Sequence, residues 1–116
     1  MISDAHLLVS AAIKFAEYSA ISNDELAGIL GIEADRMKLI ARGSTEYAEP
    51  DALRRAEQLL WLHQNLAAMF SDDETVAASW LRTRNDDLDA SPINLLSAQD
   101  GIRQVNDYLA GYRQKS

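Results

Sequence analysis

Residues 22–42 read Ser22-Asn23-Asp24-Glu25-Leu26-Ala27-Gly28-Ile29-Leu30-Gly31-Ile32-Glu33-Ala34-Asp35-Arg36-Met37-Lys38-Leu39-Ile40-Ala41-Arg42, and this stretch decides the fold. Ser22 and Glu25 have the spacing of a capping box, in which the hydroxyl takes the amide three residues on and the carboxylate reaches back. A short helix over 22–30 follows. Gly31 ends it, because glycine accepts the left-handed backbone of a tight turn. A second short helix over 34–42 runs to Gly43. Leu26, Ala27, Leu30, Ile32, Met37 and Ile40 take the inward positions, with small Ala27 where the helices cross. Two short helices joined by a turn of about three residues form a helix-turn-helix.

The chain is helical outward from this unit. It has two prolines and five glycines, and no long run alternates with period two. Ser3 opens a helix over 4–18, with Leu8, Ala12, Phe15 and Ala16 on its buried face. Pro50 suits the first turn of a long helix, since the amide it lacks has no partner there. Leu53, Ala56, Leu60, Ala67 and Phe70 repeat along that helix, with Leu59, Leu66 and Met69 beside them. Ser71-Asp72-Asp73-Glu74 reads as a second capping box and a restart. The next helix, 72–83, carries Val76 and Trp80, with Trp80 expected as a core anchor. Pro92 starts a short helix that turns Leu95 and Leu96 inward. Ser97-Ala98-Gln99-Asp100 caps the last helix, 98–113, with Ile102, Val105, Leu109 and Tyr112 in one stripe. Gly101 falls in its first turn, where a side chain would meet a neighbour. The expected fold is all-α, with a helix-turn-helix domain at 1–66 and a smaller helical region at 67–116.

Composition narrows the function. The 116 residues carry 18 acids and 11 Lys or Arg, a net charge of −7. Residues 1–65 have ten acids and six bases, and residues 66–116 have eight acids and five bases. Neither part is a basic module, so broad phosphate-driven binding is disfavoured. No cysteine is present, which excludes disulfides and thiolate metal sites. No stretch reaches the roughly 20 apolar residues of a membrane span. The acidic start Met1-Ile2-Ser3-Asp4 is unlike a signal peptide, and a cytoplasmic location is expected. His6 and His63 have no metal-ligand spacing. Asp86-Asp87-Leu88-Asp89 lacks the glycine and terminal glutamate of a calcium loop. No phosphate-binding loop or nucleophile set stands out, so neither an enzyme nor a cofactor is expected.

The spacing of residues 22–42 resembles the helix-turn-helix of Xre/Cro-like repressors, whose second helix enters the major groove by its N-terminal residues. The outward residues of 34–42 are Asp35, Arg36, Lys38, Leu39 and Arg42, locally +2. Arg36, Lys38 and Arg42 are the candidate DNA contacts, and Glu33 and Asp35 oppose the DNA backbone.

The C-terminal third has a second ordered pattern: Ala77, Trp80-Leu81, Leu88, Pro92, Leu95-Leu96, Asp100-Gly101, Val105 and Leu109. It resembles the toxin-binding domain of Xre/MbcA/ParS antitoxins, the partners of RES-domain toxins. The order of the two parts and the short length fit as well. Arg84 stands where that family often has a proline, and Asp89-Ala90 replaces a glycine common before Pro92. The resemblance implies an antitoxin that blocks the active site of an NAD-targeting RES toxin with its C-terminal elements. It also implies a homodimer that binds its own operator DNA. The candidate toxin contacts are Arg103, Asn106, Tyr108, Tyr112, Arg113, Gln114 and Lys115, since Tyr and Arg are common interface anchors. The alternatives are a stand-alone Xre/Cro-like regulator and a helical interaction module without DNA binding.

Overall fold

The computed structural model describes residues 4–41, 50–71 and 73–114, with side chains for 7–40, 50–71 and 73–111. Arg42, Gly43, Asp72 and Lys115 lie outside the described residues. The elements are α1 (Asp4–Tyr18), α2 (Asn23–Leu30), α3 (Ala34–Ala41), α4 (Pro50–Phe70), α5 (Glu74–Arg82), α6 (Pro92–Leu96) and α7 (Gly101–Gln114). The fold is all-α, and the described residues form no strand beyond an isolated antiparallel bridge between Asn85 and Ala90.

Local chemistry sets most helix ends. Ser22 Oγ accepts from the Glu25 amide at 3.1 Å, and Glu25 Oε1 accepts from the Ser22 amide at 3.0 Å. Gly31 closes α2 in the left-handed region at φ 74°. The restart after α4 differs from the expected box. Asp73 is the cap, accepting from the Val76 amide at 3.2 Å, so α5 begins at Glu74 rather than 72. A carboxylate just before the helix serves its free amides as well as Ser71 would, and Ser71 instead takes the turn at φ 53°. The last helix also starts later than 98. Ser97 closes α6, and the Asp100 carbonyl accepts the first bond of α7, from the Gln104 amide at 3.0 Å.

Helix α4 is the central element. It packs against α1, α2, α5 and α7. Its fully buried line is Ala52, Ala56, Leu59, Leu62 and Leu66. This line is rotated from the expected stripe: Ala52 and Leu62 are buried, whereas Leu53, Leu60, Ala67 and Phe70 are half-buried. A helix covered on several sides buries a broad arc, so its apolar periodicity does not single out one face. On α1, Val9 replaces Leu8 in the buried face beside Ala12, Phe15 and Ala16. Leu26, Ala27, Ile29 and Leu30 of α2 and Met37 and Ile40 of α3 join the same core, as do Ala77, Leu81, Leu96, Ile102, Val105 and Leu109. His63 packs its ring against Phe15 and Tyr18, with centroids 5.9 and 4.6 Å away.

Helix α1 ends with Ala20 at φ 57° and the Ile21 amide bonded to the Ala16 carbonyl at 2.8 Å. This is a Schellman closure with alanine in the usual glycine position. Just before it, the Ser19 hydroxyl is buried without a hydrogen-bond partner among the described residues. A buried polar group left unpaired costs about 1–3 kcal/mol. Ser19→Ala is therefore expected to raise stability by up to about 1 kcal/mol, read as a higher urea midpoint at unchanged m-value. A lower midpoint would show that the hydroxyl contributes to stability.

Candidate functional site

Two surfaces carry the sequence-predicted residues. The first is the α2–α3 unit. On α3, Lys38 is exposed and Arg36 is half-buried and engaged with a neighbour. Glu33, Asp35 and Leu39 are also exposed, with Leu39 at 46 %. The structure thus places Lys38 on the outer face beside two acids.

The second surface is built by α5, α6, α7 and the 83–91 loop. Leu81 is fully buried, while Trp80 is half-buried at the edge of the core. The expected core anchor is thus Leu81 rather than Trp80, because an indole is large and seldom buries completely. Trp80 stacks on Tyr108 with centroids 6.4 Å apart and planes at 17°, and Phe70 lies 6.2 Å away on a tilt. Tyr108 Oη donates to Asp87 Oδ2 at 3.0 Å, which ties α7 to the loop. Asn85 organises that loop: its Oδ1 accepts from the Asp87 and Leu88 amides at 2.9 and 3.3 Å, and its own amide donates to the Ala90 carbonyl at 3.0 Å.

Arg84 and Asp89, the two departures from the family pattern, form an ion pair with each other. Asp89 sits at φ 58°, a conformation natural to glycine and tolerated by aspartate. Pro92 opens α6 at its first position and is buried with Leu96. At Gly101 a Cβ would lie 1.5 Å from the Leu95 carbonyl oxygen, so α6 and α7 meet there with no room for a side chain.

The candidate toxin contacts separate by environment. Arg103 is exposed and pairs with Asp107 one turn on at 3.7 Å. Tyr108 is half-buried. Asn106, expected on the exposed side, is 8 % exposed. Its Nδ2 donates to the Gln58 carbonyl at 3.0 Å, and its Oδ1 accepts from Asn65 Nδ2 at 3.0 Å. Asn106 therefore holds α7 against α4 instead of facing a partner. Its polarity had suggested surface, whereas it lies directly after Val105 on the buried side of the stripe. For Tyr112, Arg113 and Gln114 the structure gives only a helical backbone, and Lys115 lies outside the described residues. Residues 73–111 carry seven acids against Arg82, Arg84 and Arg103, so this surface is acidic.

One contact that the sequence did not suggest joins the two surfaces. Arg82, the last residue of α5, donates to both carboxylate oxygens of Glu25, at 2.9 and 3.2 Å, and to the Ala20 carbonyl at 2.9 Å. Arg82 was legible as a basic residue in a last helical turn, but its partner lies 57 positions away. The Arg82 hydrogen bonds, followed by the Ser22 amide, hold the Glu25 carboxyl below its ordinary range. Arg82 is raised in turn by Glu25.

Among the described residues no group of three or more His, Asp or Glu is arranged to hold a metal ion, and no helix is long and apolar enough to cross a membrane. Residues 65–115 match the antitoxin Xre/MbcA/ParS C-terminal toxin-binding domain family. This segment is an antitoxin domain of the Xre/MbcA/ParS type. The match begins inside α4 and covers Phe70, Trp80, the 83–91 loop, α6 and α7. The antitoxin domain gives the chain a toxin partner and a regulatory role in a toxin–antitoxin pair. No curated protein matches the chain.

Two predictions follow from this geometry. Gly101→Ala places a methyl group into the Leu95 backbone and is expected to cost about 3 kcal/mol, the upper end of overpacking penalties. Gly111→Ala meets nothing within 4 Å and should be neutral or stabilising by up to about 1 kcal/mol. Equal effects in chemical denaturation would refute the close approach at Gly101. The second concerns pH. Because folding lowers the Glu25 pKa, its contribution is present above the ordinary value of 4.5 and is lost as pH falls through the lower folded value. Glu25→Gln should flatten stability against pH in that window, lower it slightly at neutral pH, and match the parent below the window, the effect being small because the pair is well exposed.

Proposed function

We propose that the chain neutralises a RES-domain, NAD-targeting toxin by covering its active-site cleft, and that its helix-turn-helix represses its own operon as a homodimer. The work divides at about residue 66: residues 1–66 read operator DNA and residues 67–116 bind the toxin, in the cytoplasm. The observation that carries this is the toxin-binding domain match at 65–115, downstream of the α2–α3 unit with its capped turn. The RES assignment is supported by that order of parts and by the Trp80-to-Leu109 pattern.

Toxin contact falls to Arg103 and Tyr108 of α7 and to Tyr112, Arg113, Gln114 and Lys115 at the basic end of the chain. Two of the last four residues are basic on a chain of net charge −7. Such a segment suits a pocket built for the phosphates of a dinucleotide less than it suits an acidic rim around one. Occlusion of the cleft therefore rests on shape and on the Tyr and Arg anchors. On DNA, Lys38 and Arg42 supply phosphate contacts, with Arg36 supporting them. The acidic surface elsewhere limits a single chain to few counterions released, so affinity comes from the dimer or the toxin complex.

Co-expression with the adjacent gene product tests the reading. A RES-domain protein should co-purify and lose its NAD consumption. A chain ending at residue 111 should inhibit at least tenfold more weakly, and undiminished inhibition would rule out the tail. In a gel shift on the upstream promoter, Lys38→Ala should weaken binding and reduce its salt slope by about one. Absence of any salt-dependent binding by the chain or its toxin complex would favour an interaction module without DNA contact.

A further inference from the structure

We propose that Arg82 couples toxin occupancy to the first helix of the DNA-binding unit. The inference rests on the function proposed above and adds a route between its two halves. The route runs through side-chain contacts at each end, joined by the backbone of one helical turn. Tyr108, a proposed toxin contact, stacks on Trp80. Trp80 and Arg82 lie in the same last turn of α5, which is closed by the Thr83 amide on the Trp80 carbonyl and by Thr83 Oγ1 on the Ser79 carbonyl at 2.7 Å. Arg82 then forks onto Glu25, and Glu25 is the capping-box residue that holds the first turn of α2.

Arg82 holds both sides of the α1–α2 turn. One Nη hydrogen bond reaches the Ala20 carbonyl, at the positive-φ residue that ends α1. The fork reaches Glu25 on the other side, two bonds from a planar guanidinium to one carboxylate. The same carboxylate therefore serves two helices, because it caps α2 through the Ser22 amide and anchors α5 through Arg82. Both side chains remain about 40 % exposed, at 43 % and 39 %. The contact is thus weak enough to be biased by a partner that stiffens or displaces α5, and too specific to be replaced by a neighbour at random. A partner packed over Tyr108 and Trp80 restricts α5, which lowers the entropic cost of keeping the Arg82 fork closed. The first turn of α2 tightens as a result. Linkage makes the effect reciprocal: whatever orders the α1–α2 turn favours toxin binding by the same factor.

Amide hydrogen exchange on the full chain, free and in complex with the co-expressed toxin, tests the relay. Complex formation should slow exchange of the Ser22 and Glu25 amides by about two- to fivefold, the range an exposed ion pair supplies. Arg82→Gln should abolish that change while the complex still forms, and Arg82→Lys, which keeps the charge without the fork, should restore part of it. Glu25→Gln is the second variant, since glutamine preserves the capping box but drops the charge. It should lose the toxin-dependent protection and keep the basal one, which a purely structural role for the pair would not separate. A complex that leaves these amides unchanged, or an unchanged response in Arg82→Gln, overturns the relay and spares the antitoxin reading. Failure of any toxin complex to form overturns both.

Discussion

The buried line of α4 is the constraint on which the remaining helices depend. Ala52, Ala56, Leu59, Leu62 and Leu66 run along about 21 Å of helix, from residue 52 to residue 66. Three leucines at roughly 1.5–3 kcal/mol each supply more than any surface ion pair in the molecule. Helix α1 meets α4 at His63, through Phe15 and Tyr18. Helix α7 meets it at Gln58 and Asn65, through Asn106. Residues 63 and 65 point about 200° apart on a helix, so the two neighbours lie on different sides. Helix α4 is thus a shared wall, and the α2–α3 unit and the toxin-binding domain are placed relative to each other by the same five residues.

Two polar contacts refine what the apolar wall leaves free. Burial of leucine is not directional, so it fixes that helices pack but not their register. Asn106 supplies register for α7, because its amide must find the Gln58 carbonyl and the Asn65 side chain together. Arg55 does the same for α2, donating to the Ile29 carbonyl at 3.1 Å and pinning the end of α2 to α4. Both are half-hidden polar groups with several bonds to satisfy, so a slipped register leaves them unpaired at about 1–3 kcal/mol.

Sequence legibility followed the range of the interaction. Contacts that span three or four residues were readable, as with the Ser22–Glu25 box, the Gly31 turn, the Pro92 start and the crowding at Gly101. Most inward positions of α2 and α3 were readable too, since each helix is short, but Ile29 is buried where the spacing had suggested Ile32, which is half-buried. The face of α4 was not, because burial on several sides blurs its period. Asn106 and Arg82 were misplaced or unassigned for one shared reason: their partners lie 41 to 62 positions away. A polar residue on a helix carries no local sign of whether it meets water or a distant carbonyl. Trp80 shows the opposite error, since ring size argued for the core while the neighbouring leucine fits it better. For the site, the ordered toxin-binding pattern was legible, whereas which α7 side chains face outward required the packing against α4.

The 83–91 loop shows how this chain orders the two places where it departs from the family pattern. A proline after Trp-Leu stiffens the chain leaving α5, and a glycine before Pro92 supplies a left-handed residue without a Cβ penalty. This chain has Arg84 and Asp89 at those places. Asp89 adopts φ 58° nonetheless, and its carboxylate and backbone carbonyl both take the Arg84 guanidinium. The ion pair restricts the loop where proline would have, and aspartate is among the residues best able to stand in for glycine at positive φ. The end of α5 is closed separately by Thr83, whose amide and hydroxyl donate to the Trp80 and Ser79 carbonyls. Asn85 frames the same loop through the Asp87 and Leu88 amides, and Tyr108 reaches it through Asp87. The charged pair thus shares its loop with Asp87, which Tyr108 reaches from α7, so the Trp80–Tyr108 stack and the loop charges form one continuous part of the domain surface.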